Sequence, residues 1–428
     1  MRILLTGASG FIGRHLLLRL LAENHHITAC VRQIDEWQRR FPQVRWLACD
    51  YAHDHDPSIW LPRLRDIDVV INAVGIFQEK SGQRFQDLHT RTPIALFEAA
   101  HRSGVRKVLQ ISALGADEQA QSAFHKSKRS ADEALKALPL PAVILYPSIV
   151  IGRGGGSTAL FAALAVLPLA PVVGTGRQRL QPVSIGDVCT AVAILLRSEQ
   201  LPTGQNLPLV GARSVTFIEL LQAFRQQWGC KSAAVVKLPV SLMRGLARVN
   251  DGLRLGLFDS DALGMLLRGN CADPGALTAV LGRPPDDLPS ALQGLDLGAD
   301  DWRQARLFFL RSLLRYSIAF LWIFTGLISV FGYPAELSYQ LLAQAGISGL
   351  LAPLALYGAA VLDIGLGVAT LAAYRLRWVV ALQVAVMALY TAVISVALPE
   401  LWLHPFGPVS KNVPLLVATL VMLVLEER

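Results

Sequence analysis

Charge is scarce in this chain of 428 residues: Asp, Glu, Lys and Arg make up 17% of it, against 53% hydrophobic residues. Soluble domains carry about 25% charged residues, so part of the chain is expected in a membrane. Strong charge of one sign is missing too. The excess of +8 is modest, and its arginines are spread along the chain with a cluster ahead of the apolar last third. That pattern reads as membrane-orienting and argues against a nucleic-acid patch. The five cysteines, Cys30, Cys49, Cys189, Cys230 and Cys271, form no CxxC pair and have no His at ligand spacing. Reduced thiols are expected, and no structural zinc or other metal. The opening "MRILLTGASG" lacks a basic stretch followed by a long apolar run and a cleavage site, so the N-terminal part is expected to stay in the cytoplasm.

Residues 1–150 alternate short apolar runs with stretches long enough for crossover helices. "RILLTG", "HITACVR", "VRWLACD", "DVVINAVG", "VRKVLQISA" and "AVILYPSIVIG" are six expected strands of a doubly wound parallel sheet, an α/β Rossmann core. Residues 151–298 continue as mixed α/β, with "QPVSIGDVCTAVAILL" a short strand entering a helix and "SVTFIELLQAFRQQWG" a capped amphipathic helix. This span is expected to be a small lobe completing a substrate cleft. Residues 299–315 read as an amphipathic linker at the membrane surface. Beyond them lie apolar runs at about 316–331, 353–373, 378–398 and 413–425. A spanning helix needs ~20 apolar residues; the middle two qualify outright, and the four together form an all-α membrane domain over 316–428. Arg303, Arg306, Arg311 and Arg315 precede the first span and Arg375 and Arg377 sit between the second and third, while the other two connections hold only Lys411. By the positive-inside rule, N-terminus, middle turn and C-terminus face the cytoplasm.

"LLTGASGFIGRHL" places Gly7, Gly10 and Gly13 between a strand and an amphipathic helix. The three glycines permit a tight turn, backbone approach to a pyrophosphate and close helix–sheet packing, with Ser9, Phe11 and Ile12 completing the turn. At the end of the second strand, where a NAD site places an acid, stands Arg32. Its forked donors suit a 2'-phosphate, so NADP(H) is favoured over NAD(H).

The spacing TGxxGxxG resembles the short-chain dehydrogenase/reductase superfamily, and other segments extend the likeness over roughly residues 1–298. The resemblance implies that Asp50 of "CDY" contacts the adenine and that Asn72, Ala73, Val74 and Gly75 of "NAVG" lie by the adenine ribose. Ser112 of "ISALGA" takes the place of the catalytic serine. "YPSIVIGRGG", with Tyr146 and Pro147, is similar to an RPSxxxGPGG element, Tyr146 standing where arginine is usual. Within the superfamily the nearest look is the atypical branch that includes an accessory subunit of respiratory complex I. The last third has its own likeness: "LDIGLGVATL", "LPELWLHPFGP", "KNVP" and the terminal "LEER" resemble the DoxX-like four-helix family found fused behind such reductases in bacteria, which implies a multi-pass inner-membrane protein.

In "AFHKSKRSAD" the family's proton-exchanging tyrosine, four residues ahead of Lys128, is replaced by Phe124. Lys128 and Ser112 keep the implied ribose contact and carbonyl polarisation. General acid–base catalysis contributes about 10²–10⁴-fold, so the loss is not silent. Three readings stay open. Another group supplies the proton: His125, which otherwise reads as a solvated helix residue, Lys126 or Tyr146. Alternatively, hydride passes to a quinone or small carbonyl reached from the membrane, or the domain binds nucleotide as a scaffold or sensor. A nucleotide-sugar epimerase or dehydratase is weakened by the same loss. In the second span, Asp363 is a functional candidate by its position alone. Gly358, Gly365 and Gly367 are expected to admit a neighbouring helix, and Gln383, Tyr390 and Thr391 to satisfy Asp363.

Overall fold

A computed structural model describes residues 1–80, 82–198, 204–253 and 259–426, so Glu427 and Arg428 of the terminal "LEER" lie outside it. The chain divides into two compact units, Met1–Ala305 and Arg306–Arg428.

The six expected strands form: β1 (Arg2–Thr6), β2 (His26–Val31), β3 (Arg45–Ala48), β4 (Val69–Asn72), β5 (Lys107–Ile111) and β6 (Ala142–Pro147). A seventh strand, Gln205–Leu209, joins the same sheet from inside the stretch read as the lobe, pairing parallel to β6. The order is Gln205–Leu209, β6, β5, β4, β1, β2, β3, and every pairing is parallel. Strand side chains alternate between faces. Ile3, Leu5, Ile71 and Leu145 therefore pack on one side with the Phe11–Ala22 and Ile185–Arg197 helices. Leu4, Val70, Val108 and Ile144 pack on the other with the Thr92–Arg102 and Ala123–Lys136 helices. Both faces are covered, which is why these strands read as nearly continuous apolar runs.

The lobe has its own core, in which Phe161, Phe217, Leu220 and Phe224 meet Leu288 and Leu292. Its Phe217–Gln227 helix opens on a capping box between Thr216 and Glu219, as the sequence pattern implies. Asp187 is fully buried and ion-paired at 2.6 Å with Arg283, which ties the Ile185–Arg197 helix to the segment near residue 283.

Among the described residues, three helical stretches are long and apolar enough to cross a membrane: Ala299–Gly332, Leu351–Leu371 and Leu376–Ala397. The fourth apolar run forms a shorter helix, Asn412–Glu426, of 15 residues. The stretch read as a linker and the first apolar run are one continuous helix, Ala299–Leu327. Glu426 closes one end of the second unit, pairing with Arg311 at 2.7 Å and Arg315 at 3.6 Å.

Candidate active site at the strand ends

At Gly7 the backbone turns through φ +69°, and a Cβ would lie 2.6 Å from the Ala73 carbonyl oxygen. Gly13 packs tighter still, its Cβ falling 2.0 Å from the Gly7 oxygen. Only glycine fits either place. Ser9 and Gly10 stand exposed at the tip of the turn. The helix after Gly10 has no side-chain cap, which leaves its first N–H groups for an anion. Ile12 packs on the core, and the Phe11 ring lies edge-on to His15 at 5.4 Å. This cradle fits the pyrophosphate of a dinucleotide.

Arg32 is exposed where β2 ends, near Asp50 beyond β3. The Asp50 carboxylate is held by the Ala52 N–H at 3.0 Å and by His53 at 2.8 Å. Asn72 is fully buried, and its amide is consumed internally. It accepts from Thr6 at 2.6 Å and Tyr51 at 3.0 Å and donates to Gln110 at 2.7 Å. The Asn72 side chain thus fixes the strand end that carries Ala73 and Val74 and offers no free amide of its own to a ligand.

The same network continues inward. Gln110 donates to Asp132 at 3.4 Å, and the Ser112 hydroxyl donates a short hydrogen bond to the other carboxylate oxygen. Lys128 is buried one helical turn before Asp132, and its ammonium donates to the carbonyls of Val74 at 2.9 Å and Ile111 at 3.1 Å. Burial pushes the Lys128 pKa down to about 8, with Asp132 opposing. Burial also raises the Asp132 carboxyl to about 6, against the Ser112 hydrogen bond and Lys128. The site thus brings together two groups that titrate on either side of neutrality.

Phe124 stands in an aromatic cluster: its ring lies 5.3 Å from Phe77, 6.0 Å from Phe85, 5.5 Å from His89 and 5.2 Å from His125. Phe77 is 56% exposed, so the cluster forms an open apolar wall. His89 is fully buried in a π-helical turn, Gln86–Arg91. Its Nε2 accepts from the Ile76 N–H at 3.0 Å, which leaves Nδ1 to donate to Ser127 at 3.0 Å. Burial, aided by Lys128, lowers the His89 pKa to about 2. A permanently neutral His89 pins the loop that carries Val74 to Ile76.

The expected alternative proton donors fare unequally. His125 is buried, not solvated, because Gly115 and Arg268 close over its ring; burial and then Arg268 lower its pKa to about 4. The Tyr146 hydroxyl donates to Asn206 at 3.4 Å, and burial holds that phenol protonated well above its usual range. Lys126 is exposed. Pro147 follows Tyr146, and its carbonyl accepts from the Leu114 N–H at 2.9 Å, which places the segment after Ser112.

Beside His125 opens a cleft of about 460 Å³ whose lining includes Arg177, Arg179, Arg268, Met265 and Leu267. Arg268 is tied to Asp117 at 2.7 Å and Arg179 to Ser214 at 2.5 Å. Asp132, Gln110 and His89 were not picked out from the sequence. Asp132 had a signal: four residues beyond Lys128 on a helix is the same face.

In the second unit, Asp363 Oδ1 is buried with no hydrogen-bond partner among the described residues. Two of the three expected partners are engaged elsewhere, Gln383 donating to Thr370 and Thr391 accepting from Asn412, both at 2.9 Å, while Tyr390 lies near enough for the Asp363 charge to act on it. Of the expected small-residue contacts, only Gly367 meets a neighbouring helix, its Cβ position lying 2.8 Å from Ile323 N. Gly326, which the sequence reading passed over, makes a second close crossing 2.7 Å from the Ala360 oxygen, while Gly358 and Gly365 face open space.

Residues 3–207 match the NAD dependent epimerase/dehydratase family and residues 319–420 match the DoxX-like family. The chain carries an NAD-dependent epimerase/dehydratase domain followed by a C-terminal DoxX-like domain. Binding of an NAD(P) nucleotide is typical of that superfamily. Among curated relatives, a mitochondrial NADH dehydrogenase [ubiquinone] 1 alpha subcomplex subunit 9 from Arabidopsis thaliana is 28% identical over 57% of this chain and 62% of its own length. A protein named ceramide reductase from Caulobacter vibrioides is 26% identical over 55% of this chain and 73% of its own. The chain thus spans less than two thirds of the Arabidopsis relative. Among solved structures, the dTDP-glucose 4,6-dehydratase of Bacillus anthracis with NAD has a TM-score of 0.53 at 16% identity, covering 71% of this chain and 99% of that one. The Escherichia coli quinone oxidoreductase QOR2 with NADPH has a TM-score of 0.54 at 20% identity, covering 69% and 100%. These likenesses establish the fold.

Proposed function

We propose that the protein is a membrane-anchored NADP(H)-dependent reductase acting on an amphiphilic carbonyl or quinone that reaches the site from the bilayer. The observation that carries this reading is the Asp132–Ser112 pair, held by the same helix that presents Phe124 to the open aromatic wall: a proton source without a phenol, and a surface suited to an apolar acceptor. The Gly7–Gly13 turn would hold the pyrophosphate, Arg32 the 2'-phosphate, and Lys128 with Val74 the nicotinamide ribose. When bound, the reduced nicotinamide supplies the hydride. With Asp132 protonated the hydrogen bond reverses: Asp132 passes its proton to the Ser112 oxygen as the Ser112 proton moves to the substrate oxygen, and a proton returned through Ser112 after product release restores the fully buried Asp132. The Phe wall offers an apolar surface to the acceptor's hydrocarbon part. One relative is named as a reductase of ceramide, itself an amphiphile, which accords with this substrate class.

The helices long enough to cross a membrane anchor the domain in this reading, with Asn412–Glu426 as a fourth, short span. The arginine-rich connections set both termini on the cytoplasmic side of an inner membrane. The second reading, a nucleotide-binding scaffold without turnover, is favoured by one observation: Ser112, Asp132 and Lys128 are all engaged in internal hydrogen bonds.

Fluorescence titration of the detergent-solubilised full-length protein with NADPH and NADH tests the cofactor half. NADPH is expected to bind more tightly than NADH, Gly10→Asp to abolish binding of both, and Arg32→Glu to remove the preference. Binding of neither nucleotide to the unaltered protein overturns the reductase and scaffold readings together.

A further inference from the structure

We propose that the exposed face of the Val240–Leu253 helix is a membrane-docking surface whose occupant is an anionic lipid bilayer. The helix is amphipathic in an unusual sense, because it carries two apolar faces. Ala247 and Met243 point inward, packed with Val173 and Leu263. Leu242, Leu246 and Val249, spaced i, i+4 and i+7, form a second stripe that is 51%, 54% and 58% exposed. Single exposed aliphatic residues are ordinary on a protein surface, but a continuous stripe marks a contact site. The adjoining Ala234–Leu238 strand adds Val235 and Val236, both exposed.

Charge selects the occupant. Arg248 on this helix and Lys231 and Lys237 beside it are all exposed, whereas Arg244 falls about 165° round the helix from the stripe. The helix's acid, Asp251, is engaged by the backbone and hydroxyl of Ser260 at 3.1 Å and 2.6 Å. At about 100° per residue, Ser241, Gly245 and Gly252 fall between the apolar stripe and Arg248. No bulky side chain there keeps the guanidinium from reaching a headgroup plane. A second copy of the chain docking through a two-fold axis would set these cations against themselves, whereas an anionic bilayer neutralises them. The chain also brings its own bilayer, through its membrane-length helices. The docking does not depend on the reductase reading. It would, however, set the bilayer next to the cleft beside His125, since this helix packs on Ser260–Arg268, whose Met265, Leu267 and Arg268 line that cleft.

The test uses the full-length protein in nanodiscs, with the more accessible cysteines removed as Cys230→Ser and Cys271→Ser and a nitroxide attached at Leu246→Cys. Val249→Cys is a second label site and exposed Glu118→Cys an aqueous control. In phosphatidylcholine discs containing phosphatidylglycerol, the labels at 246 and 249 should be open to oxygen and shielded from a water-soluble nickel chelate, at a depth of about 5–10 Å. Arg248→Glu should return them toward the control, whereas Arg244→Glu, on the far side of the helix, should not. Labels open to nickel, or shielded from both quenchers as by a protein partner, overturn the proposal. Equal insertion in pure phosphatidylcholine overturns its anionic-lipid part.

Discussion

Asp132 is the residue on which the chemistry turns, and its titration gives the sign of the pH dependence. Burial lifts its carboxyl to about 6, so it is protonated below that pH and ionised above it. Only the protonated form can feed Ser112. Reductive turnover is therefore expected to fall as pH rises through about 6, and Asp132→Asn to flatten that profile while lowering the rate about 10²-fold or more. Rates measured across that range on both proteins check it; an unchanged profile in the variant removes Asp132 from the proton path. Phe124→Tyr is the converse experiment, restoring a phenol four residues before a lysine whose pKa is already depressed. Increased reduction of small carbonyls is expected, read as NADPH consumption. Ser112, Lys128 and the missing tyrosine were legible in the sequence because their spacing is fixed by one helix and one strand end. Asp132 was not, since "RSADEA" reads as a solvated helix surface until the sheet is seen to bury that face. His125 was misread for the same reason.

At the scale of elements, alternation of apolar runs showed six strands, because strands covered on both faces are apolar throughout. The seventh, "QNLPL", escaped notice: it is polar at its start and contains Pro208, features an edge strand tolerates and a central one does not. Helix packing in the second unit gives a prediction with internal controls. A side chain at Gly367 would collide with the backbone of Ile323 and Ala319, whereas Gly358 and Gly365 have open space. Gly367→Leu is expected to lower the melting temperature in detergent by several degrees, consistent with overpacking costs of about 1–3 kcal/mol. Gly358→Leu and Gly365→Leu should leave it nearly unchanged. Composition marks all three alike; only the packing separates the glycine at a crossing from those facing outward.

For the whole molecule, the apolar last third and the nucleotide fold were both plain from composition and motif, and the comparisons assign each part to a family. In the proposed reading a membrane-derived substrate joins them, and no motif spells it out. If the connections carrying Arg375 and Arg377 face the cytoplasm, a tag inserted there should resist protease added to intact spheroplasts and yield only after lysis. Cleavage in intact spheroplasts would reverse the orientation.

The central claim, reduction of a membrane-derived acceptor without a tyrosine, is tested most directly by following NADPH oxidation by the full-length protein in nanodiscs doped with quinones or long-chain ketones, at several pH values. The account predicts acceptor-dependent oxidation that declines above about pH 6. NADPH bound tightly but left unconsumed with every acceptor at every pH would contradict it and leave a nucleotide-binding scaffold.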